Sequence, residues 1–411
     1  MSSPLSFRSN IAWTLLGQVF NVVSQFLIVV IIARVSDVEA LGLYGILSAI
    51  VGPIQLFMMF DLGKLVVAND RFENIFGSYH IVIIVSCILV PIVSMIVCFA
   101  IYHDVSMLPA MASFSLYRAL VNYREFCFSI YQKFERLDLM AMSTIYLSVG
   151  TIIIFGLSYF FFQNIAISFF SISSYFLIGF ILFELPKLKK FLLSESKLLH
   201  FEGSQVLEVL QKGLKLGATA FINGIKSNAP RYIIEFAIQN RSLLGVYTGF
   251  LQFSNTLNTL NQAMSKSSIG RLSNLHVVDL VKFKRFLNKM IISVILIGMA
   301  VTLIVVLFGV FITRLSFDNP EFSENNSIFV LIILARAIAM PIVYLRNAQT
   351  ILGIYSSQLF YILSSMVFFV ILCYMLIPIF DHLGVLYALA ISEFMVLVLS
   401  YVSVRRELTN N

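Results

Sequence analysis

Charge is what this chain has least of. Only 12% of its 411 residues are Asp, Glu, Lys or Arg, while 59% are hydrophobic; a soluble globular domain carries about 25% charge. That shortfall excludes an ordinary soluble fold and places the chain in the integral membrane class. Tryptophan is nearly absent, with one residue, so an interfacial aromatic belt must draw on the Tyr and Phe. The cysteines Cys87, Cys98, Cys127 and Cys373 each lie in an apolar run without metal-ligand spacing. They read as small packing residues and not as a disulfide framework. The histidines (His80, His103, His200, His276, His382) are scattered in loops or at the ends of apolar runs. There is no Walker A loop, HExxH, GxSxG or acidic metal cluster. The expectation is therefore a protein that is not an enzyme and has no cofactor, driven by a proton or sodium gradient or by its substrate's own gradient. The net charge of +7 does not point to nucleic acid, because the cations fall in short loops between apolar runs.

What the chain has is apolar runs of spanning length, for which roughly 20 residues suffice. Twelve windows qualify: 11–33, 40–62, 78–101, 107–130, 141–162, 165–185, 214–238, 243–265, 288–313, 327–348, 355–379 and 383–404. The fourth and seventh are the weakest by hydropathy. The first, Ile11 to Ala33, is too long for a signal peptide, carries Gln18, Asn21 and Gln25, and runs into Arg34, so it reads as a retained span. The basic residues fall into alternate loops. One set holds Arg8; Lys64 and Arg71; Lys133 and Arg136; six lysines between Lys187 and Lys215; Lys266 to Lys289; and Arg405 and Arg406. The other set holds only Arg34, Arg241 and Arg314. This asymmetry places both termini in the cytoplasm. The fold class is all-α integral membrane, with about twelve transmembrane helices in two six-helix bundles. Residues 1–185 form the first bundle and 214–411 the second. The basic linker 186–213 reads as a cytoplasmic segment lying along anionic lipid.

Four cations resist the explanation that end-of-helix charges snorkel to the interface. Arg118 is in the middle of the fourth span, SLYRALVNYREF. Lys226 and Arg231 are in the seventh, IKSNAPRYIIEF, and Arg336 is near the centre of the tenth, IILARAIAMPIVYL. Each would cost about 2.5–3.5 kcal/mol if it faced lipid, so the chain must turn them toward protein or water. The spacing agrees: Arg118, Asn122 and Glu125 form one polar stripe, Arg231 and Glu235 are an i, i+4 pair, and Arg336 shares a face with Asn347. Internal pairing, Arg118 with Glu125 through water and Arg231 with Glu235, is the structural alternative. Setting Glu125, Glu235 and Glu393 against the four cations leaves one surplus positive charge. Such a site suits phosphate or diphosphate. Glu393, in LYALAISEFMVLVLSYV, has no cation within two turns of sequence. It is either an ion-coupling carboxylate or a neutral one hydrogen-bonded to a neighbouring helix. Prolines 53, 91, 230 and 341 fall in or near spans, where each permits a bend.

Three features carry a family resemblance. The first is the opening SNIAWTLLGQVFNVVSQFLIVVIIARVSDVEALGLYGILSAIVGP, with its polar-studded span and LGLYG turn. The second is NAPRYIIEFAIQNRSLLGVYTGFLQFSNTL, and the third is the six-plus-six layout around a basic central loop. In these the chain resembles the polysaccharide flippases of the Wzx type, which handle O-antigen or capsule repeat units. They belong to the superfamily that also holds the multidrug extruders (MATE-like) and lipid II flippases. The resemblance implies undecaprenyl-diphosphate-linked oligosaccharide as cargo, moved from the cytoplasmic to the periplasmic leaflet of a bacterial inner membrane by ion-coupled alternating access. It implies service to lipopolysaccharide or capsule synthesis, with a polysaccharide polymerase and chain-length regulator as candidate partners. By location in matching spans, Arg118, Lys226, Arg231 and Arg336 are the candidate substrate contacts. Asn122, Glu125, Glu235 and Asn347 are supporting polar groups, and Glu393 is the candidate coupling site.

Other readings compete. A drug or organic-cation extruder of the same fold should show surplus acid among its membrane charges. A major-facilitator transporter should show its signature after the second span, but DLGKLVVANDRFENIFGS lacks the expected flanks of Asp70-Arg71. A membrane glycosyltransferase or polymerase would need a large outside loop, and the stretch around 314–326 is too short.

Overall fold

The computed structural model describes residues 7–60, 62–68, 72–134, 136–191 and 203–410, and no strand occurs among them. The helices are α1 (Phe7–Val35), α2 (Val38–Met58), α3 (Leu62–Ala68), α4 (Phe72–Tyr102), α5 (Leu108–Lys133), α6 (Leu137–Phe162) and α7 (Ile165–Gly179). A π-helical turn, Phe180–Glu184, joins α7 to α8 (Leu185–Phe191). Then follow α9 (Gly203–Ile233) with a second π turn, Ile234–Ile238, α10 (Arg241–Val278) and α11 (Leu280–Phe317). The last are α12 (Pro320–Glu324), α13 (Asn326–Ile351), α14 (Tyr355–Phe380) and α15 (Leu383–Asn410).

Each of the twelve apolar windows is occupied by a long helix. Nine segments are long and apolar enough to cross a bilayer. The three long helices that fall short are α5, α9 and α10, and their polar residues explain why. α5 carries Arg118, Arg124 and Glu125, and α9 carries Lys226 and Arg231. On α10, Gln252, Ser254, Asn255, Thr256, Asn258, Thr259, Asn261 and Gln262 follow one another within three turns. The helices also outrun their windows. α10 and α11 extend through the basic stretch 266–289 with a single residue, Asp279, between them. α9 begins inside the segment read as a linker. Of 186–213, residues 186–191 and 203–213 are helical, and 192–202 lie outside the described residues.

By contacts the chain divides into two compact units. The first is Met1–Ser36 with Leu43–Ser227, and the second is Asp37–Gly42 with Asn228–Asn411. In the first unit, small residues let helices approach closely, as is usual where lipid removes any hydrophobic drive between helices. Gly17 of α1 lies over Ala141 of α6, where an added Cβ would sit 3.1 Å from Ala141 Cα. Gly213, Gly217 and Gly224 form a stripe on α9 against Phe60, Phe57 and Pro53. Tyr44, Phe114 and Phe155 gather around Phe169, with Tyr44 stacked on it at 6.0 Å and Phe114 edge-on at 4.9 Å, and Tyr159 stacks on Phe155.

In the second unit, Phe250, Phe317, Phe322 and Phe329 make a comparable aromatic cluster. The start of α2 packs here on the start of α10, glycine against backbone. A Cβ on Gly245 would meet the Val38 carbonyl oxygen, and one on Gly42 would meet the Arg241 carbonyl oxygen. The two segments share a sequence repeat, D/N-x-x-x-L-G-x-Y, at Asp37–Tyr44 and Asn240–Tyr247. The first residue of each repeat caps its helix: Asp37 Oδ1 accepts from the Ala40 amide and Asn240 Oδ1 from the Leu243 amide, both at 2.9 Å. The four cysteines are unbridged, and Cys98, Cys127 and Cys373 are buried.

Gly245→Ala should lower the thermal unfolding midpoint of the purified protein in detergent, because the methyl group has no room; overpacking typically costs about 1–3 kcal/mol. Gly203→Ala, at a position with nothing within 4 Å of the new carbon, should leave the midpoint in place. Equal midpoints for the two variants would contradict the packing described.

Candidate functional site

In the first unit the polar stripe of α5 faces α2. Arg118, half-buried, donates from Nε to Gln55 Oε1 at 2.7 Å, and Gln55 Nε2 donates to Asn122 Oδ1 at 2.7 Å. Gln55 and Asn122 are buried. Gln55 stands two residues past Pro53, and its amide is engaged at both ends, which fixes its orientation. Glu125, seven residues from Arg118 and exposed, makes no ion pair with it among the described residues. Both instead line a cavity of about 130 Å³ with Asn21 and Gln25 of α1 and Thr151 of α6. Arg124 reaches the same cavity and is buried, with its guanidinium 5.1 Å from the Phe128 ring centroid and 5.3 Å from that of Phe176.

Helix α9 carries the seventh-span residues across the division of the chain: Lys226 belongs to the first unit and Arg231 to the second. Lys226 is half-buried. Arg231 is buried and donates from Nη1 to Asn228 Oδ1 at 2.8 Å. The pairing of Arg231 with Glu235, expected from their i, i+4 spacing, is replaced. The helix widens into the π turn at Ile234, closed by the Gln239 amide on the Ile234 carbonyl at 3.0 Å. Glu235 then lies 4.0 Å from Arg241 Nε, at the start of α10. Its Oε2 is buried without a hydrogen-bond partner. Local changes of winding of this kind often occur at functional positions.

In the second unit α13 runs parallel to α10, and polar side chains join them at three levels. Arg336, half-buried, donates from Nε to Ser254 Oγ at 2.8 Å. Asn261 Nδ2 donates to the Met340 carbonyl at 3.1 Å, next to the helix-bending Pro341. Asn347 Nδ2 donates to Ser265 Oγ at 2.6 Å. Residues 254 and 265 are spaced as 336 and 347 are, so one face of each helix supplies the whole ladder. Behind it, Gly298 of α11 admits Ala337 closely, where an added Cβ would be 2.8 Å from Ala337 Cβ. Glu393 of α15 is not isolated, as its sequence neighbourhood implied. Its carboxylate acts electrostatically on Arg336 and Arg346, both on α13.

The two units thus repeat one device. An arginine near the middle of the fourth or tenth span donates its Nε to a neutral side-chain oxygen on the second or eighth. A guanidinium has five N–H donors. Bonding one of them to a neutral oxygen leaves the charge uncancelled and the other donors available to an anion. The sequence reading found the arginines and missed their partners Gln55 and Ser254. The available signals were a glutamine two residues past a mid-helix proline and the eight polar residues within 252–262 of a helix of spanning length.

The fold is that of a multi-pass, all-helical membrane protein. Residues 7–276 match the polysaccharide biosynthesis protein family, and the chain belongs to that family. It is 22% identical over 404 residues to the capsular polysaccharide biosynthesis protein CapF of Staphylococcus aureus, across 97% of this chain and 99% of that one. Among solved structures, an inward-facing MATE-family multidrug resistance transporter of the MOP superfamily superposes with a TM-score of 0.74, at 10% identity and 95% coverage of each chain. The lipid II flippase MurJ in its inward closed conformation gives 0.72 at 13% identity, over 96% of this chain and 89% of that one. Family and fold bear out the flippase resemblance read from the sequence. The likeness covers nearly the whole chain and sets the major-facilitator reading aside.

Proposed function

We propose that this multi-pass protein of polysaccharide biosynthesis is a flippase for undecaprenyl-diphosphate-linked oligosaccharide. In this reading it carries the head group from the cytoplasmic to the periplasmic leaflet of a bacterial inner membrane by alternating access. Both termini lie in the cytoplasm, and the protein supplies no catalytic group. The observation that carries the reading is the Arg118–Gln55 and Arg336–Ser254 arrangement. Cations held by neutral partners favour an anionic cargo, and a diphosphate offers the oxygens that the open N–H donors require. Lys226 and Arg231 on α9 are the further candidate cations, one in each unit. Asn122 and Asn347 keep the polar faces in register, and Glu235 balances Arg241.

A drug or organic-cation extruder of the same fold is the second reading. It needs a surplus of carboxylates where this chain has a surplus of cations. Glu393 is the candidate ion-coupling group. It lies within electrostatic reach of Arg336 and Arg346 on α13.

A charge series in a flippase-null strain, at matched protein level, tests the cargo. Arg336→Ala and Lys226→Ala should each cut surface polysaccharide about tenfold or more, as loss of a charge-assisted contact worth about 1.5–3 kcal/mol implies. Arg336→Lys should retain part of the activity. Full activity in all three variants would remove the anionic-cargo reading. Coupling is tested separately in proteoliposomes with an imposed pH gradient. Glu393→Gln should abolish the dependence of transport on that gradient, and an undiminished dependence would exclude Glu393 as the coupling group.

A further inference from the structure

The cations at the start of α11 bias the chain's orientation but take no part in the candidate cargo contacts. Lys282, Lys284, Arg285 and Lys289 fall within its first three turns. The N-terminus of a helix is the positive end of its dipole, and cations there work against it. Lys282 is accounted for. Its Nζ lies 3.2 Å from Asp279 Oδ2, while its amide donates to Asp279 Oδ1 at 2.9 Å. The other three face two adjoining hollows. One, of about 290 Å³, is lined by Lys284, Asn288, Tyr401 and Arg405 over a floor of Leu287, Leu345 and Val404. The other, of about 560 Å³, is lined by Lys284, Arg285, Asn288, Lys289 and Ile292. No acid lines either hollow. Lys284 is fixed in place by donating from Nζ to the Leu408 carbonyl at 2.6 Å, in the last turn of α15. The floor belongs to the apolar core of the second unit, which includes Phe283, Leu287 and Leu408.

Immediately beyond the basic turns, the exposed face of α11 becomes wholly apolar. Ile292, Leu296, Met299 and Leu303 are each more than half exposed. They lie on one of the most apolar spanning segments of the chain. A cationic, acid-free recess thus opens onto a long apolar track, in the order in which a phospholipid presents its phosphate and its acyl chains.

We propose that this recess is a binding site for an anionic phospholipid. Its phosphate is held by Lys284, Arg285, Lys289 and Arg405, and its acyl chains run along α11. The site is independent of the cargo. It lies at the end of the spanning segment, and none of the ladder residues Arg336, Asn347, Ser254, Asn261 or Ser265 lines it.

The test uses the full-length protein, delipidated in a non-ionic detergent. It is titrated with phosphatidylglycerol or phosphatidylcholine, and bound lipid is counted by native mass spectrometry. Phosphatidylglycerol should be retained and phosphatidylcholine lost. Arg405→Gln and Lys289→Gln should each lower retention about fivefold, the worth of one basic residue near anionic lipid. Lys282→Gln, which removes a cation outside both hollows, should not. Lys284→Gln also removes the bond to Leu408, so Lys284→Arg serves as the folded control and should keep the lipid. Excess inorganic phosphate should not displace it, because the acyl track contributes. Equal retention of the two lipids would overturn the site. So would an equal loss in Lys282→Gln and Arg405→Gln, which marks diffuse surface attraction, or displacement by inorganic phosphate.

Discussion

The arrangement rests on one constraint: a guanidinium cannot be left in hydrocarbon. The cost of an arginine at the centre of a spanning helix, about 2.5–3.5 kcal/mol on insertion scales, must be met by protein or water. A carboxylate would meet it and cancel the charge. Here a neutral oxygen from a neighbouring helix meets part of it, Gln55 for Arg118 and Ser254 for Arg336. These neutral oxygens do not cancel the charge; among the described residues Glu393 offsets part of it at Arg336. The rest of each unit serves this contact. Asn122 orders Gln55, and Asn261 and Asn347 lock α13 against α10 on either side of Pro341. Glycines elsewhere bring backbones close enough for short polar side chains to reach across.

That the device occurs once in each unit fits a chain built from two related halves. The repeat at Asp37–Tyr44 and Asn240–Tyr247 carries the same relation at the level of sequence. It also explains why the stretches that carry the family resemblance, around LGLYG and LLGVY, are those where helices approach most closely. Gly42 and Gly245 sit where a side chain would displace backbone, so the motif has a packing cause before it has a functional one.

Much of this was legible in the sequence. Every apolar window holds a long helix, because roughly 20 apolar residues in a row leave few alternatives. The four mid-span cations were identifiable from their positions alone. What was not legible was their company. Gln55 is 63 residues from Arg118, and Ser254 is 82 from Arg336, so no local spacing rule could pair them. Local rules also misdirected. The i, i+4 rule assigned Glu235 to Arg231, and a π turn gave it to Arg241. Glu393 looked isolated because the arginines whose charge it meets are on another helix. Hydropathy rated the fourth and seventh spans, α5 and α9, lowest, and the structure adds α10; each of these helices carries part of the polar sites.

The central claim is that the arginine positions face water and protein while residues beside them on the same helix face lipid. Thiol accessibility in native membranes measures this directly. The native cysteines are mostly buried, so single cysteines can be placed at Arg336 and at Leu334, an exposed apolar neighbour two residues away. The account predicts that Arg336→Cys reacts with a charged, water-soluble methanethiosulfonate reagent and that Leu334→Cys does not. Equal reactivity at the two positions, or reaction at 334 alone, would contradict it.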